Sequence, residues 1–129
     1  MTEIEIEKVI RDLINTFLDA GKISINLRNQ GLKKEIKSDN TPVTNGDLEV
    51  NKIISIKIKE LTPSIPIISE ETSDNKFIKD LKNFWLVDPI DGTYDYINNL
   101  DEFTINAGLI LNKKPCAGLI HAPAKDRMF

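Results

Sequence analysis

Cysteine, histidine and tryptophan each occur once in the 129 residues, as Cys116, His121 and Trp85. A single cysteine excludes an internal disulfide, and its place in an apolar run predicts a buried thiol. Charge of neither sign dominates. Lys and Arg number 17 against 20 Asp and Glu, a formal net charge of -3, and the two signs are scattered, which argues against a nucleic-acid duplex or an anionic membrane as partner. No apolar run is long enough to span a bilayer. The acidic start Met1-Thr2-Glu3-Ile4-Glu5 lacks the basic and apolar regions of a secretion signal, so a reducing cytoplasm is expected. Repeats and low-complexity segments are also missing. What is present is 40% hydrophobic content, enough for one globular core and no sign of two, so residues 1–129 read as a single domain.

Periodicity places the elements. Thr2-Glu3-Ile4-Glu5 reads as a capping box, and Ile6, Val9, Ile10, Leu13, Ile14 and Phe17 recur at helical spacing, predicting a first helix that ends at Ala20-Gly21. Arg28 to Pro42 has no sustained period and is expected to be a loop or a loosely paired hairpin. Val50, Ile54, Ile58 and Leu61 predict a second helix from Thr44, stopped by Thr62-Pro63, with Asp47 and Glu49 in its first turn. Ile65 to Ile68 reads as a short strand, Lys76 to Lys82 as helix or loop, and Phe84 to Val87 as a buried strand. Phe103–Leu111 and Cys116–His121 predict an antiparallel hairpin with a loop of more than two residues, Asn112 to Pro115. The fold class is α+β, helices packed on a mostly antiparallel sheet.

The most informative segment is Asp88-Pro89-Ile90-Asp91-Gly92-Thr93, delivered by Phe84-Trp85-Leu86-Val87 and preceded by Ser69-Glu70-Glu71. Asp88 falls at the carboxyl end of a strand, and Pro89 and Gly92 turn the chain there. The strand Ile65 to Ile68 aims Glu70 at the same point, so three carboxylates can converge. Hard divalent ions such as magnesium take oxygen ligands, and two of them about 4 Å apart can clamp the attacking and leaving oxygens of a phosphoryl transfer. Asp88 is the candidate for the carboxylate shared between them. Gly92 and Thr93 can open a short helix whose free N–H groups point at an anion. An Asp-Gly turn between two elements is the plainer alternative.

Several spaced motifs together resemble the inositol monophosphatase superfamily. They are Glu70-Glu71, Asp88 to Thr93, and an upstream Thr-x-x-Asp in Pro42-Val43-Thr44-Asn45-Gly46-Asp47. Leu61-Thr62-Pro63, Ile67-Ile68-Ser69-Glu70-Glu71, Trp85-Leu86-Val87-Asp88 and Glu102-Phe103-Thr104-Ile105-Asn106 look most like the CysQ-type bisphosphate nucleotidases, which act on 3'-phosphoadenosine 5'-phosphate. The resemblance implies a phosphatase using two or three Mg2+ ions, with Mn2+ able to substitute. Glu70, Asp88, the Ile90 carbonyl and Asp91 would be metal ligands. Thr93 would orient the attacking water, Asp47 would accept the threonine proton, and Asp91, Gly92 and Thr93 would meet the substrate phosphate. Glu71 reads as a supporting or solvated carboxylate, Lys37 as a solvated charge in preference to a contact with substrate phosphate, His121 as a satisfied histidine, and Tyr94 and Tyr96 as packing residues. A haloacid dehalogenase centre is excluded because Asp88 and Asp91 are separated by two residues rather than one. A helix-loop-helix calcium loop lacks its alternating ligands here.

Members of that superfamily run roughly twice this length, whereas this chain stops inside an apolar strand, Arg127-Met128-Phe129, where a boundary is least expected. The resemblance covers the first half of the family's fold, and the family's second half supplies a further Asp to the metal site. Three readings follow: a phosphatase or its catalytic half acting on a small phosphorylated substrate, either a bisphosphate nucleotide or an inositol monophosphate; a metal-binding remnant without turnover; or a module that self-associates or pairs with a separate C-terminal half through an open sheet edge.

Overall fold

A computed structural model describes residues 1–71 and 81–129. Thr2 accepts the Glu5 N–H and opens α1, Glu3–Gln30. The helix runs nine residues beyond the expected stop at Gly21, and Gly31, at φ 95°, closes it. Gly21 has a different task. A Cβ there would lie 2.5 Å from His121 Nε2, so the glycine lets the helix approach the sheet rather than end. Val9, Leu13, Phe17 and Ala20 form the buried stripe of α1.

After α1 the chain makes the hairpin anticipated as loosely paired, β1 (Lys34–Ile36) against β2 (Pro42–Thr44). Helix α2, Asn45–Leu61, starts at Thr44 and stops at Thr62 before Pro63, as its periodicity predicts. It packs Val50, Ile54 and Ile58 into the core beside α1. Two helices thus cover one face of the main sheet.

Among the described residues that sheet has five strands in sequential order: β3 (Ile67–Ser69), β4 (Phe84–Asp91), β5 (Thr104–Leu111), β6 (Lys114–Ala122) and β7 (Arg127–Met128). Of these strands, β3 and β4 pair in parallel and the other neighbours are antiparallel. The class is α+β with a mostly antiparallel sheet, as expected. Trp85, Val87, Ile105, Ala107, Leu109 and Leu119 point into the core with the helices, and the buried Trp85 indole donates to Thr62 Oγ1 at 3.0 Å. The opposite face is uncovered by the described residues, with Leu86 44% and Ile120 43% exposed. Leu86 therefore departs from the expectation of a wholly buried strand.

Two further expectations are corrected. The β5–β6 connection is a two-residue turn, Asn112 and Lys113, both at positive φ (52° and 65°), the geometry that matches strand twist. Pro115 sits within β6, and the register slips between Leu109 and Ile110, leaving Cys116 as the extra residue. That bulge turns Cys116 out, so the thiol is exposed rather than buried. The segment Lys76 to Lys82 lies outside the described residues except for its last two positions.

Candidate active site

Strand β4 continues past Val87 to Asp91, beyond the turn anticipated at Asp88. Pro89 has no N–H to give to a ladder, and the pairing accommodates it by a bulge. Asp88 pairs with Asn106 and Asp91 with Thr104, two intervening residues facing one. The bulge spaces the two aspartates, and Gly92 at φ 84° then turns the chain into the short helix α3, Thr93–Ile97. β3 delivers its acids alongside. Glu70 N–H reaches Val87 O at 3.4 Å, so Glu70 follows β3 out at the same end of the sheet at which Asp88 leaves β4.

Asp47 is fixed by the opening of α2. Thr44 Oγ1 accepts the Asp47 N–H, while Asp47 Oδ2 accepts the Thr44 N–H at 2.9 Å and the Thr44 hydroxyl. This reciprocal cap locks a carboxylate that is 1% exposed. Its other oxygen, Oδ1, lies 3.2 Å from Thr93 Oγ1. The Ile90 carbonyl is 3.3 Å from the same hydroxyl. A hydroxyl has one proton, and the charged acceptor takes it more strongly. Thr93 therefore donates to Asp47 and keeps its lone pairs free. Residues 46 positions apart in the chain thus meet.

A cleft of about 700 Å3 gathers Glu70, Glu71, Ile90, Asp91, Gly92 and Thr93, with Lys37 from the β1–β2 hairpin on its wall. Asp88 faces a neighbouring, mostly apolar groove on the open side of the sheet, and Glu70 borders both. Strand alternation separates Asp88 from the buried Val87. Burial pushes the Asp88 carboxyl up to about 7, and Glu70, Asp91, Asp47 and Glu71 reinforce the shift by repulsion. The donors are all oxygens, and their crowding suits a hard cation. Among the described residues, however, no three Asp, Glu, His or Cys stand ready in a closed metal-binding arrangement.

Two side chains, Tyr94 and Lys37, depart from expectation. Tyr94 is 72% exposed and lines the cleft, whereas Tyr96 is a fully buried packing residue. The Tyr96 hydroxyl donates to Ser24 O at 2.7 Å, and Gly46 leaves it room. Lys37 is no free solvated charge: its Nζ stands 3.8 Å from Glu71 Oε2, with the Glu71 side chain 6% exposed. His121 is satisfied as expected, its Nδ1 2.9 Å from Arg127 O. Thr44 and Ser69 were missed as site residues. The Ser69 hydroxyl donates to Asn51 and its oxygen accepts the Glu71 N–H at 3.3 Å, holding the acidic pair in place. The Thr44–Asp47 spacing was the available signal for the first; a lone serine offers none.

Fold and site together define a layered α+β domain with an acidic cleft where its strands end. The chain belongs to the inositol monophosphatase family, which it matches over residues 5–129. The 3'(2'),5'-bisphosphate nucleotidase CysQ of Haemophilus influenzae is 43% identical over 91 residues, 69% of this chain and 34% of that protein. The CysQ of Aggregatibacter actinomycetemcomitans is 35% identical over 117 residues, 89% of this chain and 44% of that protein. In structure, the extragenic suppressor protein suhB of Bartonella henselae superposes with a TM-score of 0.82 at 25% identity, covering 95% of this chain and 48% of its own. The Thermotoga maritima IMPase gives 0.78 at 27% identity, covering 89% and 44%. The chain thus spans less than half the length of each of these proteins.

Proposed function

We propose that this chain carries the catalytic carboxylates of a magnesium-dependent phosphomonoesterase, with a 3'(2'),5'-bisphosphate nucleotide such as 3'-phosphoadenosine 5'-phosphate as substrate. The observation that carries the reading is the Thr93 to Asp47 hydrogen bond, set beside acids from the ends of β3 and β4. The choice of nucleotide rests on the bisphosphate nucleotidases at 35% and 43% identity.

Glu70, Asp88, Asp91 and the Ile90 carbonyl would hold Mg2+, or Mn2+ in its place, which supplies Lewis-acid charge for the phosphate oxygens and for activating water. The chain's own part is orientation. Thr93, with its proton committed to Asp47, offers a lone pair to a hydrogen of the attacking water and turns the water's oxygen toward phosphorus. Asp47 stays in place because Thr44 holds its second oxygen. Gly92 keeps the backbone clear for the phosphate, with Asp91 and Thr93 on either side. The water's oxygen bonds to phosphorus as the bond from phosphorus to the nucleotide's ester oxygen breaks; the water's proton is lost to solvent, the departing oxygen takes one up to leave as a hydroxyl, and no aspartyl intermediate forms.

The test is phosphate release from 3'-phosphoadenosine 5'-phosphate in 18O-labelled water, by the 129-residue chain alone and mixed with the C-terminal portion of the Haemophilus influenzae relative. Alone, turnover is expected near background, since a missing transition-state group costs on the order of 100-fold or more. With the added portion, label should enter phosphate, and Glu70→Gln, Asp88→Asn and Asp91→Asn should each abolish most of it. A phosphoaspartate trapped at Asp88 would overturn the mechanism. Faster release from inositol 1-phosphate would favour an inositol phosphatase instead.

A further inference from the structure

Among the described residues, the cleft where the carboxylates gather has one aromatic side chain on its wall, Tyr94. Its ring is 72% exposed, whereas Tyr96, two residues on, is fully buried and gives its hydroxyl to Ser24 O. Single exposed apolar side chains are ordinary on a protein surface, so exposure alone assigns Tyr94 nothing. Its place does. Tyr94 follows Thr93 directly in the first turn of α3, and consecutive Cα atoms lie about 3.8 Å apart, so the ring stands one residue from the corner that Asp91, Gly92 and Thr93 form. Packing makes no use of that ring, because α3 is anchored to the core through Tyr96. The cleft, about 700 Å3, is also larger than a phosphate needs and falls in the range, roughly 300–1,000 Å3, of sites that enclose a whole small molecule.

We propose that Tyr94 is the stacking face for the nucleobase of the substrate and makes this centre prefer a nucleotide to an inositol phosphate; the proposal rests on the phosphatase reading above. With the phosphate at Asp91, Gly92 and Thr93, the rest of the substrate leaves that corner along the cleft wall. Glu70 and Glu71 on that wall offer charge and hydrogen-bond acceptors but no flat apolar surface. A purine is a flat ring that stacks on an aromatic side chain whatever its sequence context. An inositol ring is puckered and carries hydroxyls all round, so it has no face to lay on the phenol and keeps its water. Tyr94 thus determines specificity through the base, and the chemistry at phosphorus is left to Thr93 and the carboxylates.

The 129-residue chain in Mg2+ is titrated by calorimetry with 3'-phosphoadenosine 5'-phosphate, inorganic phosphate and inositol 1-phosphate, and the adenine H2 and H8 protons are followed by NMR. Tyr94→Leu keeps apolar bulk without the ring, and Tyr94→Phe keeps the ring without the hydroxyl. Both should melt close to wild type, since the side chain is 72% exposed. Tyr94→Leu should weaken the bisphosphate nucleotide by roughly 5- to 100-fold and leave inorganic phosphate and inositol 1-phosphate unchanged, while Tyr94→Phe stays near wild type for all three. Ring current from the stacked phenol should move the adenine protons upfield with wild type and Tyr94→Phe, and not with Tyr94→Leu. Equal nucleotide affinity in wild type and Tyr94→Leu, or an equal loss of nucleotide and inorganic phosphate in Tyr94→Leu, overturns the proposal while leaving the phosphatase reading intact. Wild type that binds neither the nucleotide nor inorganic phosphate in Mg2+ overturns the phosphatase reading and the proposal with it.

Discussion

Two residues at the site have roles that can be separated by measurement. Thr44 caps α2 and at the same time holds Asp47 Oδ2. Thr44→Ala should cost about 1 kcal/mol of stability through the lost cap, read from urea unfolding midpoints. An unchanged midpoint would mean that the cap contributes nothing. Asp88 makes a pH signature. Its folded carboxyl is raised from 3.8 to about 7, so between those values the native state keeps a proton that the unfolded chain has lost. The metal-free chain therefore loses stability as pH rises from about 4 to about 7, and the raised Glu71 carboxyl acts in the same direction. Asp88→Asn should flatten much of that decline. Mg2+ at pH 7.5 should raise the melting temperature of wild type more than that of Asp88→Asn; equal shifts in the two would remove Asp88 from the metal site.

At the scale of the element, α1 shows how a glycine can mislead. Gly-to-Ala in a helix interior ordinarily stabilises by up to about 1 kcal/mol. At Gly21 the sign should reverse, because the new Cβ would meet His121 Nε2 at 2.5 Å and Pro123 Cβ at 3.3 Å. Gly21→Ala is expected to destabilise by roughly 1–3 kcal/mol, measured by thermal and urea unfolding against wild type. A stabilised variant would show that the helix-to-sheet approach is looser than this packing. Strand β4 teaches a related point. Its bulge at Pro89 and Ile90 lets Asp88 and Asp91 point to neighbouring clefts joined by Glu70, which a regular strand could not do at a spacing of three.

For the molecule as a whole, one face of the main sheet carries helices and the other presents Leu86, Ile120 and Phe129, the last 69% exposed. The groove they border, about 640 Å3 and floored by Gly108 and Gly118, adjoins β7, a two-residue strand paired on one side to β6 among the described residues. Exposed apolar surface next to an unpaired strand edge favours association. The 129-residue chain should therefore self-associate at micromolar concentration, and Ile120→Lys should shift it toward monomer in sedimentation velocity. A wild-type chain that sediments as a monomer throughout would refute this. No helix among the described residues is long and apolar enough to cross a membrane.

The acidic motif, the second helix and the α+β class were legible in the residues themselves, because they depend on local chemistry: Pro89 and Gly92 break regular structure, Thr44 caps, and apolar side chains recur at the period of their element. The pairing of Thr93 with Asp47 was legible through the family resemblance alone, and the ion pair of Lys37 with Glu71 and the outward turn of Cys116 were not legible at all. Each depends on where distant segments pack or on a bulge in register, and a one-residue slip reverses the face a side chain occupies. Gly21 is the clearest case. Its sequence context reads as a helix end, and only the His121 ring lying against it decides that the helix continues, since a contact 100 residues away leaves no local trace.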